Sequence, residues 1–279
     1  SSDVLEQHPN TWNTSKITDM SRLFSRAELY DFDEPIGNWD VSHVVDMSQM
    51  FSGHRAVSGT SGTSCPHAFN QDISRWDTSS VNNMSGMFFY AENFNQPLEE
   101  WDTASVTRMD SMFARASNFN QLLGKWDTSR VTTMDSMFER AANFNHPLGK
   151  WDTSRVTTMA KMFASTKHFD QPLNQWDVSS VTSMREMFRH AAVFNQDIDR
   201  WNTASVRNFF RMFNNAKLFN RDISTWDTSS ASAAAASQGI VECSAIRTQP
   251  HEWANMFGGA ESMSQPTPVF TEGSGCVVM

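Results

Sequence analysis

The sequence predicts an α/β repeat solenoid with one short strand and one short helix in each 25-residue turn. Three observations lead there. Tryptophans recur in one register, Trp12, Trp39, Trp76, Trp101, Trp126, Trp151, Trp176, Trp201 and Trp226, with gaps of 27, 37 and then six of 25 residues. Two phenylalanine columns keep step, one running from Phe24 through Phe51, Phe88 and Phe138 to Phe213, the other from Phe32 through Phe69 and Phe144 to Phe219. Inside each unit the apolar spacing changes from helical to extended. Self-similarity at a fixed period of this length is the mark of stacked repeats.

The unit from Trp126 to Lys150, WDTSRVTTMDSMFERAANFNHPLGK, serves as the reference. Val131, Met134, Phe138 and Ala141 fall at helical spacing with Met137 beside them, which predicts a helix with one apolar face. Thr128 or Ser129 is placed to N-cap it. Asn143, like Asn93 and Asn118, is placed to end it in a left-handed conformation. Pro147 and Gly149 stop its continuation, and a short strand is expected over 148–153. One unit buries too little apolar surface to offset the entropy of ordering its backbone, so units must share buried faces.

The polar columns repeat too. Asp77, Asp102, Asp127, Asp152, Asp177 and Asp227 follow the tryptophans, with Asn202 as the one amide. Each is expected to accept backbone N–H bonds at a turn, rather than to form an acidic ladder for a cation such as calcium. Asn70, Asn95, Asn120, Asn145, Asn195 and Asn220, with Asp33 and Asp170 in the same column, predict a buried or half-buried amide ladder. The tryptophans Trp76, Trp101, Trp126, Trp151, Trp176 and Trp201 are expected to be structural as well.

The motifs W-D-T-S-x-V-T-x-M and M-F-x-x-A-x-x-F-N-Q-P-L resemble those of the BspA-like leucine-rich-repeat surface proteins. The likeness is to the 25-residue variety abundant in mycoplasmas, lactobacilli and single-celled eukaryotes, a domain of unknown function. It covers about Trp12 to Ser230. The resemblance implies a leucine-rich-repeat-like solenoid, often displayed on a cell surface, with roles in adhesion or in contact with a host or neighbour. It carries over no catalytic residues.

Taken in order, 1–11 reads as a partial N-terminal unit or cap, and 12–230 as eight solenoid units with an insertion at 52–68. The insertion is rich in Gly, Ser and Thr, the composition of a surface loop, and it holds His54, Cys65 and His67 without a standard zinc spacing. Residues 231–249 read as a low-complexity insertion. Trp253, Met256 and Phe257 then resume the register, so 250–274 is expected to be a degenerate C-terminal capping unit. The tail, 275–279, ends in Cys276-Val-Val-Met, a C-a-a-X pattern that makes Cys276 a candidate for farnesylation. The chain starts at Ser1 without an initiating Met and reads as a fragment or a processed form.

With 22 basic and 31 acidic residues the net charge is −9, which argues against nucleic acid as partner. No apolar run reaches the ~20 residues of a membrane span. Three scattered cysteines make no disulfide framework. Nucleotide-loop, zinc-protease and serine-hydrolase motifs are absent, and the abundant Ser and Asp are copied in every unit, whereas a catalytic residue stands alone. No enzyme, metal or cofactor is expected. Asn13 and Asn83 begin glycosylation sequons. Binding is expected at the variable columns, where Lys125, Arg130, Lys150 and Arg155 form one basic strip suited to an acidic partner or to neutralising Asp127 and Asp152. The preferred reading is a non-catalytic recognition or adhesion solenoid on a cell surface, meeting a protein or glycan. The alternatives are a cytosolic scaffold tethered to a membrane through Cys276, and an ice- or glycan-binding face made by Thr103, Thr128 and Thr153.

Overall fold

The main chain turns back on itself every three or four residues. The computed structural model describes residues 9–54, 64–231, 256, 270–271 and 277–278. In the reference unit the N–H groups of Val131, Met137, Glu139, Ala141 and Phe144 each donate to the carbonyl three residues back. Between these turns, the N–H groups of Met134, Ser136, Phe138 and Arg140 donate outward to Thr158, Ala160, Met162 and Ala164 of the next unit, at 2.7–3.2 Å. Thr132 N–H donates the other way, to Thr107 of the preceding unit.

The segment expected to be helical is therefore a run of linked turns. An α-helix would spend these N–H groups inside the unit; here alternate ones join neighbours. Both i→i−3 turns and helices bring residues three apart onto one face, so the apolar spacing fits either. Thr128 does not cap: its hydroxyl donates to the Asp152 carbonyl at 2.9 Å. The left-handed residues are Ser136 (φ 55°) and Arg140 (φ 62°), not Asn143. Each is the third residue of a four-residue turn, the position where a type II turn needs positive φ. The same two columns recur as Ser111 and Arg115, Lys161 and Ser165, and Glu186 and His190.

The expected strand over 148–153 is likewise replaced by a turn, closed by Trp151 N–H on the Leu148 carbonyl. Parallel pairing lies elsewhere, in single-residue bridges linking Asp19, Asp46, Asn83, Arg108, Thr133, Thr158, Ser183 and Asn208 in succession. The left-handed residue three positions on prevents each bridge from growing into a strand. Among the described residues, regular elements are limited to short 3₁₀ turns at Pro9–Thr11 and Ala27–Leu29, the helical residues 229–231, and an antiparallel pair of Phe270–Thr271 with Val277–Val278. No helix there is long and apolar enough to cross a membrane.

The core is a set of parallel columns. Phe113, Phe138, Phe163 and Phe188 stack at 5.7 Å between ring centroids, with their planes within 10°. Phe119, Phe144 and Phe169 form a second stack at 6.0 Å, and the two touch within each unit, as at Phe138–Phe144, 4.1 Å. Trp126 lies over Trp151 at 6.3 Å and 2°, and Trp151 over Trp176 at 6.5 Å and 1°. Met134, Met137, Val131 and Leu148 fill the space between and are fully buried. Stacked, offset rings bury large apolar area and add a favourable ring–ring term.

The longer second unit is accommodated at its edge. His54 and Cys65 exchange both backbone hydrogen bonds at 2.8 Å, closing the base of the inserted loop. Gly53 sits beneath that closure, where a Cβ would come within 2.7 Å of the Cys65 carbonyl oxygen. At the other end Phe213 N–H donates to the Met256 carbonyl at 2.8 Å. In regular units this bond goes to the methionine 24 residues ahead, so Met256 holds the place of that methionine. The expected low-complexity insertion and most of the expected capping unit lie outside the described residues.

Candidate functional site

Most repeated polar side chains serve the scaffold. Asp77, Asp127 and Asp152 accept from the serine two residues on, by its N–H and, at Asp77 and Asp152, also by its hydroxyl. These bonds, side-chain first, hold the three carboxyls below the usual carboxylate range. Asn202 accepts in the same way from Ala204, so the column needs an acceptor and not a charge.

The asparagine column is a ladder from side chain to backbone. Asn95 Oδ1 accepts the Asn120 N–H at 2.9 Å, Asn120 Oδ1 the Asn145 N–H at 3.0 Å, Asn145 Oδ1 the Asp170 N–H at 3.0 Å, and Asn195 Oδ1 the Asn220 N–H at 2.9 Å. It is half-buried along most of its length, although Asn120 is exposed. Asn83 of the second sequon has both ends of its amide engaged, by Asp46 and by Ser85.

The expected threonine face is overturned. Thr103, Thr128 and Thr153 are each 1% exposed, and their hydroxyls donate to the carbonyls of Asp127, Asp152 and Asp177. A residue next to an exposed Asp looks exposed in sequence, but the turn aims it inward.

The basic strip is divided among local partners. Lys125 pairs with Glu100 and Glu99. Behind the serine bonds, the charge of Arg130 adds to the lowering of the Asp127 carboxyl and that of Arg155 to the lowering of Asp152. Lys150 is exposed. Cys276 lies outside the described residues. His67, one of three candidate ligands in the insertion, is fully buried: Nδ1 accepts from Phe69 N–H and Nε2 donates to the Phe24 carbonyl. Among the described residues no three His, Cys, Asp or Glu side chains gather into a metal-binding group.

A denser constellation lies where the turns carry side chains that are not copied from unit to unit. Glu186 is 5% exposed. Its Oε1 takes Arg185 Nε and Nη2, both at 3.2 Å, and its Oε2 takes Arg189 Nη1 at 3.1 Å. Burial alone would raise this carboxyl, but Lys161, Arg185 and Arg189 together hold it below its ordinary value. Lys161 and Arg211 occupy the same column one unit before and one after. The guanidiniums of Arg185 and Arg211 lie over the Phe210 ring, 5.0 and 4.8 Å from its centroid, a cation–π arrangement. His190 is lowered by burial first, then by Arg189 and Arg140.

The earlier units of the same columns form a shallow hollow of about 290 Å³, lined by Gln49, Ser52, Ser85, Gly86, Phe89 and Asp110 among others. Gly86, at φ +60°, stands where other units carry Gln, Ser, Lys, Glu or Arg.

A family model described as "Mycoplasma protein of unknown function, DUF285" matches residues 2–60, 61–155 and 142–253. The chain belongs to this family. No curated protein and no solved structure matches it. In this DUF285 chain the cluster around Glu186 was not foreseen from sequence. Its signal was nevertheless present: aligning the units puts Lys161, Glu186 and Arg211 in one column, where other units have Ser111 and Ser136. A helical reading of 181–191 hid it, because it placed neighbours along the helix instead of across units.

Proposed function

We propose that the chain is a non-catalytic recognition module, a solenoid of the BspA-like leucine-rich-repeat kind whose linked turns stand where a helix was expected. One observation carries this reading. Repeated polar side chains are committed to bonds within and between units, while the unrepeated ones collect in the columns from Gln49 to Arg211. A broad face of singular side chains on a uniform scaffold suits contact with a large partner better than chemistry on a small one. The family resemblance supports display on a cell surface and a role in adhesion.

The test has two arms. Immobilised chain is probed against arrays of glycans and extracellular proteins, where saturable binding with a Kd below about 100 μM is expected for at least one ligand. Antibody labelling of intact against permeabilised cells then locates the protein, and labelling only after permeabilisation would remove the surface role. Turnover of an ester, phosphate or glycoside substrate by purified chain would replace recognition with catalysis.

A further inference from the structure

We propose that the face formed by Lys161, Arg185, Arg189 and Arg211 around Glu186 binds an acidic polypeptide segment through its side-chain carboxylates; this rests on the recognition reading above and names the partner. The first ground is charge. Lys161, Arg185 and Arg189 share the single carboxylate of Glu186, Arg211 lies over Phe210 beside them, and Arg140 has Glu139 at 3.9 Å, on a chain whose net charge is −9. A local positive field on an acidic body attracts a short acidic segment, while the rest of the surface repels a long polyanion.

The second ground is preorganisation. Glu186 does not compete for a ligand, because both of its oxygens are already bonded inward. It fixes Arg185 and Arg189, so the entropy of ordering two long side chains is spent before a partner arrives. A guanidinium has five N–H donors. Arg185 uses those on Nε and Nη2, and Arg189 uses Nη1. Arg189 Nε is itself buried, so the donors left for a partner are the outer η nitrogens of the part-exposed Arg185 and Arg189, with Lys161 Nζ and the Arg211 guanidinium. Carboxylates match such forks in a planar, two-bonded geometry.

The third ground separates a peptide from other anions. Sugars and bases are held by stacking on a free aromatic face. The aromatic ring of this cluster, Phe210, is already covered by two guanidiniums. Lys161 and Arg211 stand two layers apart, roughly 10 Å at strand spacing, which is about three residues of extended chain. A run of consecutive Asp and Glu fits that span.

The probe is a fluorescein-labelled octapeptide of alternating Asp and Glu, followed by anisotropy with the full chain. Saturable binding is expected at about 20 mM salt and should fade toward 500 mM. Lys161→Gln/Arg211→Gln leaves the Glu186 pairs intact and is expected to weaken binding about tenfold or more, with an unchanged unfolding curve. Lys125→Gln/Lys150→Gln is expected to change it less than about twofold. Equal affinity in the first double variant overturns the assignment of this face. So does binding no tighter than that of a Ser-Gly octapeptide, and so does preference for a heparin octasaccharide or an eight-base oligonucleotide through the same residues. Each of these outcomes leaves the recognition reading standing if the arrays yield another ligand.

Discussion

Trp151 Nε1 donates to the Leu123 carbonyl oxygen at 3.0 Å, reaching back 28 residues, while its ring lies between those of Trp126 and Trp176. One side chain thus ties four units together, its own and three others, by a hydrogen bond and by two ring contacts. Trp151→Phe keeps a ring but loses the donor and part of the buried area. The expected cost is about 1–3 kcal/mol, read as a lower urea midpoint. Trp12→Phe, at the 40% exposed end of the column, is expected to cost less than about 1 kcal/mol. Equal losses at the two positions would contradict a stabilising column.

The asparagine ladder needs an oxygen in each layer, whatever its charge. Asn95 Oδ1 accepts the Asn120 N–H at 2.9 Å and the Gln121 amide at 3.1 Å. Asn95→Ala leaves the Asn120 N–H without its acceptor, while the Gln121 amide keeps the Asn95 backbone carbonyl at 3.0 Å, and is expected to cost about 1–3 kcal/mol. Asn95→Asp keeps the acceptor, as Asp170 does naturally for Asn195, and should cost less than about half of that. Thermal melts of the two variants decide between an acceptor role and an amide role.

The left-handed columns carry backbone strain. Ser136 holds φ 55°, a conformation that costs a non-glycine residue about 1–2 kcal/mol. Ser136→Gly is expected to stabilise by up to about 1 kcal/mol, after the loss of chain entropy on folding is subtracted. Gly86→Ala, where φ is +60° and the new Cβ would meet Gln49 Cγ at 3.2 Å, is expected to destabilise by about 1–2 kcal/mol. Urea midpoints that move opposite to these signs would show that the turns are not strained.

Acid should weaken the second unit through His67. Burial pushes this imidazole down from 6.5 to about 4, against smaller opposing contributions from its bond to Phe24 and from Asp33 and Asp31. The unfolded chain therefore takes up the proton first as pH falls. The His67 contribution is fully present above pH 6.5, declines between 6.5 and about 4 by at most about 3 kcal/mol, and changes no further below, where the lowered carboxyls take over the acid loss. His67→Gln is expected to remove this slope, although it lowers the stability at neutral pH. Unfolding curves at pH 7, 5.5 and 4.5 for both proteins provide the check.

Much of the architecture was legible because copying makes side-chain roles visible. Trp126, Phe138 and Asn145 can be assigned to core or ladder from their columns alone, and the structure places them there. The backbone was not legible. Met134, Phe138 and Ala141 lie on one face of a helix and on one face of linked turns alike, and nothing in their spacing says which carbonyl Phe138 N–H will choose. It chooses Met162, a unit away. The candidate face was missed for the same reason. Arg185, Glu186 and Arg189 look like an ordinary helical ion-pair run until Lys161 and Arg211 are set beside them across the layers.

The bonds of Trp151, Asn95 and Phe138 that cross between layers reach partners 24 to 28 residues away in the chain. An in-frame duplication of 126–150 would thus bring each Trp, Phe and Met of the core columns a neighbour of the type it already has. Length is then adjustable in increments of one layer, about 4.8 Å each, with no need to redesign the interior. Exterior columns stay open to change at every step. Such a body works as a ruler whose graduations can be added by copying and whose markings can be rewritten one at a time.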